Sequence, residues 1–153
     1  MKPTLMIAAA LAAGLAGLAH ADAPAPTPAP DVVAGRQAAF SLSNVVFGGM
    51  RPVVEAGGDV KSLTRGARVL ARWARAMPGL FPEGSNLGRT TASPAVWSDR
   101  PGFEAAAARY AEAATRLAEL ADANDKAGFA AQYKVVGDTC GACHKAYRLP
   151  DQH

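Results

Sequence analysis

The feature that most constrains this chain is Cys140-Gly141-Ala142-Cys143-His144, close to its C-terminal end. Two thiols three residues apart, with a histidine directly after the second, meet two covalent demands and one coordinative demand within a single turn. On a helix, positions i, i+3 and i+4 fall on one face. Both sulfurs then reach the vinyl groups of a haem while the imidazole points beneath its iron. The motif reads as a c-type haem attachment site, with Cys140 and Cys143 as attachment points and His144 as the axial iron ligand.

Two other uses of Cys-x-x-Cys compete with this one. A thioredoxin-like redox pair expects a preceding strand in a βαβ context, and no strand pattern surrounds the motif. A structural zinc site wants four ligands. Beyond the N-terminal segment the only other histidine is His153, and there is no second cysteine pair.

Residues 1–21 read as a cleaved signal peptide, with Lys2 as the positive region, Leu5 to Leu18 as the apolar run and Ala19-His20-Ala21 as a small-x-small cleavage site. A transmembrane anchor would show a charged stop-transfer flank, and none follows. The mature chain is expected to start at Asp22 in the periplasm, an oxidising compartment that suits haem attachment, with no membrane insertion after cleavage. Residues 22–30 contain Ala-Pro-Ala-Pro-Thr-Pro-Ala-Pro, an extended tether between leader and domain rather than part of a helix.

The domain is expected over 31–153, one core in about 130 residues. Without the leader, 15 basic and 13 acidic side chains leave a balance of +2, which two haem propionates bring near zero. Nucleic acid is a poor match, because the dense basic patch that phosphates require is missing. Alanine, leucine and arginine abound while β-branched residues do not, so the chain leans to an all-α fold.

Apolar spacing then predicts four helices. The first runs from Asp31, as N-cap, to Glu55, with apolar pairs seven apart at Val32/Val33, Ala39/Phe40, Val46/Phe47 and Val53/Val54. Pro52 is expected to kink its last turns, and Gly57-Gly58 to end it. Asp59 caps a second helix that reaches Met77, with Leu63, Ala67, Leu70, Ala74 and Met77 in one stripe. Lys61, Arg65, Arg68, Arg72 and Arg75 form a nearly opposite basic row, a solvated face or a dock for an acidic redox partner. A long Gly/Pro/Ser/Thr-rich connection spans 78–101, with Trp97 as a hydrophobic plug. The third helix covers 102–122 and the fourth 126–149, the latter with Phe129, Tyr133, Val136, Cys140, Cys143 and Tyr147 on one seam. Short outer connections and one long middle connection give an antiparallel four-helix bundle with covalently bound haem between the helices.

A C-terminal Cys-x-x-Cys-His-x-x-Tyr-Arg resembles the cytochrome c′ family, the class II c-type cytochromes, and the resemblance covers about 31–149. Ordinary class I cytochromes c carry the motif near the N-terminus and a methionine ligand later. The resemblance implies haem c, electron transfer with a redox donor or acceptor protein, binding of nitric oxide and carbon monoxide, no enzymatic activity, and a homodimer formed through the first two helices. It places Phe40 of Arg36-Gln37-Ala38-Ala39-Phe40 over the iron, so that the iron is five-coordinate with His144 as its only protein ligand. The pocket there is expected to be apolar and without a donor aimed at a bound gas. It further implies that Arg36 and Gln37 bond the propionates, that Thr91 lies at the haem edge, and that Arg148 lies on the proximal side beside Tyr147. Leu80 departs from the family, where many members carry an aromatic.

Two other readings stay open. A peroxidase-like or nitric oxide reducing enzyme would want a titratable group beside Phe40. A low-spin six-coordinate carrier would need a methionine ligand. Met50 lies ten residues, or about 15 Å of helix, beyond Phe40.

Overall fold

The computed structural model describes residues 30–150. The leader at 1–21, the tether up to residue 29, and His153 lie outside them. Pro30 does not belong to a tether: it opens helix α1, Pro30–Glu55. A proline suits that place, since its φ is already helical and its missing N–H would be unbonded in a first turn. Asp31 is therefore inside the helix and not its N-cap. Pro52 is accommodated inside α1, which continues to Glu55, and Gly57 at φ 59° closes it.

Asp59 caps as expected, but the element it starts is a 3-10 turn, Val60–Leu63, with the Lys61 amide donating to Asp59 Oδ1 at 3.1 Å. Helix α2, Thr64–Ala76, follows, and a second 3-10 turn, Met77–Leu80, ends it at Pro78-Gly79. The long connection holds one short helix, α3, Ala95–Ser98. Trp97 is half-buried there and donates from Nε1 to Pro82 O at 3.0 Å. Helix α4, Arg100–Asp122, starts two residues earlier than the spacing predicted, because Asp99 accepts the Gly102 amide as its N-cap. Asp125 does the same for α5, Lys126–Tyr147. That helix stops before Arg148, which takes an extended conformation and pairs as a single antiparallel bridge with Ala92.

The four long helices α1, α2, α4 and α5 form the bundle. The sequence stripes face inward: Ala67, Leu70 and Ala74 of α2 and Met77 of the turn after it are buried, as are Phe103, Ala106, Ala113, Leu117 and Leu120 of α4 and Phe129 and Val136 of α5. Burial of such side chains contributes roughly 25 cal/mol per Å² of apolar surface, the main term holding the helices together. The basic row on α2 is exposed throughout. Helix α2 packs extensively on α4 and α4 on α5, whereas α1 is joined more lightly to α2 and α5. Its apolar pairs are only half-buried, and its fully buried positions are Arg36 and Met50. Met50 reaches α2 where Gly66 leaves room, since a Cβ there would stand 2.9 Å from the Met50 methyl.

The apolar interior has two parts. One joins Met50, Leu70, Leu117, Phe129 and Val136 along the bundle. The other gathers Met77, Phe81, Val96, Phe103 and Ala107, with Phe40, Trp73, Trp97 and Tyr147 packed against it. This second, aromatic cluster lies beside the Cys-x-x-Cys-His turn.

Candidate functional site

A cavity of about 310 Å³ opens between α1, the 77–96 connection and the end of α5. It is within the range of cofactor sites, about 300–1,000 Å³. Helix α1 lines it with Arg36, Gln37, Phe40, Ser41 and Asn44, the connection with Thr90, Thr91 and others, and the α5 end with Cys143, His144, Tyr147 and Arg148. Every site residue expected from the sequence is in its walls except Cys140, which is half-buried one turn earlier on α5. Two larger open clefts lie between α2 and α4 and contain none of these residues.

The donor chemistry fits a covalently attached haem. Cys140 and Cys143 are free thiols and both half-buried. Burial pushes both thiols up; Cys143 adds to this at Cys140, while Arg109 partly offsets it at Cys143. A reactive redox pair has the opposite tuning, with a depressed thiol. Among the described residues no three His, Cys, Asp or Glu side chains converge as a metal site would require. Burial, and then the Arg148 guanidinium, push the His144 imidazole down, towards the neutral ring that ligates iron.

Arg36 is only 1% exposed, and no carboxylate faces it among the described residues. Nη1 donates to Ser85 Oγ at 2.8 Å and Leu80 O at 3.3 Å; Nη2 donates to Ser85 O at 2.7 Å and Thr90 Oγ1 at 2.9 Å. Its guanidinium lies 4.4 Å from the centre of the Phe81 ring. Four N–H groups thus order the loop from Leu80 to Thr90, and no carboxylate among the described residues pairs with this buried positive charge at the cavity. Such a charge costs several kcal/mol unless compensated, so this wall suits an anionic ligand group. Gln37 is tied to the same loop, donating to Arg89 O at 2.7 Å.

Phe40 is half-buried and touches Trp73 edge-on, with centroids 5.1 Å apart, and Phe81 at 6.3 Å. The α1 wall is not apolar throughout, which corrects the expectation. Gln37, Ser41 and Asn44 share the helical face of Phe40, so they line the cavity with it. Ser41 is engaged by Gln37 O at 3.1 Å, and Asn44 presents a side-chain amide. Met50 is buried in the other part of the core and is absent from these walls, whereas Met77 is present in them. Leu80 is half-buried, and the aromatic of this region is its neighbour Phe81, 5% exposed and in the cavity wall. Helical periodicity explains Met77 only as the last residue of a core stripe. Ser85 and Thr90, the partners of Arg36, sit in a loop with no periodic signal.

The cytochrome c′ family profile matches residues 31–148. A cytochrome c′ of Rubrivivax gelatinosus is 37% identical over 117 residues, covering 74% of this chain and 88% of that one. A cytochrome c′ of Rhodospirillum rubrum is 36% identical over 83 residues, 54% of this chain, and the match spans just over half of that relative, 56%. Among solved structures, a ferrous variant of cytochrome c prime from Alcaligenes xylosoxidans with bound NO superposes with a TM-score of 0.72 at 31% identity. The match covers 79% of this chain and 95% of that one, and a carbon monoxide-bound variant of the same protein also gives a TM-score of 0.72. With its all-helical bundle and its C-terminal haem-attachment turn, the chain belongs to the cytochrome c′ family of haem c-type cytochromes.

Proposed function

We propose that this chain is a periplasmic electron carrier that binds nitric oxide and carbon monoxide at a five-coordinate iron, with His144 as the single protein ligand. The observation that carries this reading is the cavity that has Cys143 and His144 on its α5 side and Phe40 on its α1 side. Haem c, when bound, supplies a redox-active iron with a sixth position open to a diatomic ligand. Cys140 and Cys143 anchor the group, and Arg36 and Gln37 face its propionates, with Thr91 at its edge and Arg148 beside His144. Phe40 cannot ligate, and its ring fills the space opposite the imidazole. The gases are those bound in the related Alcaligenes xylosoxidans structures. The leader at 1–21 supports export, and no helix among the described residues is long and apolar enough to cross a membrane.

Among the described residues, the cavity walls hold no carboxylate and no second histidine. A distal general acid or base is what peroxidase-like chemistry requires, so the walls favour a carrier and gas binder over an enzyme. Met77 favours one other reading, a six-coordinate low-spin carrier, because it is the one methionine in the walls among the described residues. An absorption spectrum of the purified ferric protein separates the two. A high-spin, five-coordinate spectrum is expected; a low-spin spectrum that turns high-spin in Met77→Leu would replace the first reading by the second.

The outer face of α1 supports a homodimer. Leu42 and Val45 are 66% and 72% exposed, and a Cβ at Gly48 or Gly49 would meet nothing within 4 Å. Small and apolar residues along one helix allow close approach of a second copy. Sedimentation in the micromolar range is expected to show a dimer that Leu42→Glu with Val45→Glu converts to monomer. A monomer throughout that range in the unaltered protein rejects the pairing.

A further inference from the structure

The end of the helix that carries the haem motif is tied to the segment ahead of α4. The Ser93 amide donates to Tyr147 O at 2.9 Å and the Leu149 amide to Thr91 O at 2.8 Å, on either side of the Ala92–Arg148 bridge. A side-chain tie adds to these. The Tyr147 hydroxyl donates to Asp99 Oδ2 at 2.8 Å, while Asp99 Oδ1 accepts the Gly102 amide at 3.2 Å. One carboxylate therefore both caps α4 and holds the last residue of α5. Gly102 keeps the space open, since a Cβ there would collide with the Asp99 carboxylate and stand 2.5 Å from the Tyr147 hydroxyl. The Tyr147 ring also meets Phe103 edge-on, with centroids 5.4 Å apart.

We propose that the Tyr147–Asp99 pair is a positioning latch for His144, fixing the last turn of α5 and with it the placement of the imidazole presented to iron. The proposal rests on His144 being the axial ligand. Tyr147 lies three residues after His144, and the Arg148 amide donates back to His144 O at 3.0 Å, so the turn that is latched is the turn that holds the ligand. Terminal turns open at small free-energy cost when their ends are not tied down. A ligating side chain on such a turn needs partners beyond the metal to fix its orientation. Asp99 and, at longer range, Cys143 and Arg109 are the titratable groups that face Tyr147. The hydrogen bond to Asp99 pushes the phenol up, with burial adding to it, so the donor keeps its proton through the neutral range.

Tyr147→Phe tests this, because it removes the hydroxyl and keeps the ring on Phe103. Two readouts on the haem-loaded protein are needed. Amide exchange at Ser93, Arg148 and Leu149 is expected to rise about tenfold or more, as for loss of a hydrogen bond to a charged group. The iron–imidazole stretching band of the ferrous protein, read by resonance Raman, is expected to shift and broaden. Asp99→Asn keeps an acceptor oxygen for the Gly102 amide and offers an Nδ2–H to the Tyr147 oxygen, so the tie persists without the charge, and it is expected to leave that band in place. Unchanged exchange in Tyr147→Phe overturns the latch, and faster exchange with an unmoved band reduces the pair to a structural tie. A band displaced as far in Asp99→Asn as in Tyr147→Phe overturns the positional account, since charge would then be the cause. Absence of any iron–imidazole band in the unaltered protein marks failure of the His144 reading itself.

Discussion

In the doubly substituted Cys140→Ala, Cys143→Ala protein, haem is expected to wash out completely on acid and organic extraction, while in the unaltered protein it stays with the polypeptide. Each attachment adds a thiol S–H across a vinyl C=C, so the covalent link depends on these two sulfurs and on nothing else in the site. Both are free thiols on one helix and both are half-buried. No other cysteine exists in the chain. Each single substitution should leave one thioether and retain the group. Haem absorbance in the organic phase, measured after extraction, decides the matter, and haem that extracts freely from the unaltered protein contradicts c-type attachment.

The parts of this fold that could be read from the sequence are those with a short repeat. The stripe Leu63, Ala67, Leu70, Ala74 and Met77 recurs at three and four residues because that spacing returns to one side of a helix. Four of its five members are buried, and Leu63 is half-buried. Asp59 was legible as a cap from its place ahead of an apolar run. Boundaries were less so. Arg148 was expected inside the last helix, but hydrogen bonds from Ser93 and Leu149 to residues more than fifty positions away draw the chain into an extended pairing. No local preference of the Tyr-Arg-Leu segment announces that pairing.

Arg36 shows the same limit at the site. Its position next to the cavity was anticipated by resemblance, but its burial was not, because an arginine on a helix ordinarily reads as solvated. What buries it is the loop that folds over it, through Ser85 and Thr90, 49 and 54 residues away. A propionate role and a loop-ordering role are compatible in chemical terms. Four guanidinium N–H groups are used by the loop. The cation thus sets the shape of one wall and gives it a positive charge. The Tyr147–Asp99 pair was illegible for a related reason: its members are 48 positions apart, and only the folded bundle brings the helix end to the cap.

Phe40→Ala is expected to bind carbon monoxide more tightly and faster while its haem stays covalently attached. The ring is held by contacts with Trp73 at 5.1 Å and Phe81 at 6.3 Å between centroids, so an incoming diatomic must push it against packed aromatic neighbours. Such overpacking costs on the order of 1–3 kcal/mol, or about one to two powers of ten in affinity. Removing the ring removes that cost without touching His144 or the thioethers, and it makes room for water as a sixth ligand. The substitution also weakens the fold. A fully buried phenylalanine would lose about 3–5 kcal/mol, and the half-buried Phe40 should lose less, about 2–3 kcal/mol including its edge-on aromatic contacts. Thermal unfolding of the variant must therefore be recorded first, to set the temperature at which it is fully folded. Flash photolysis under those conditions then gives the association rate, and titration the affinity. If both match the unaltered protein, the ring of Phe40 does not guard the position opposite His144, and the space over the iron must be set by other wall residues such as Met77 or Asn44.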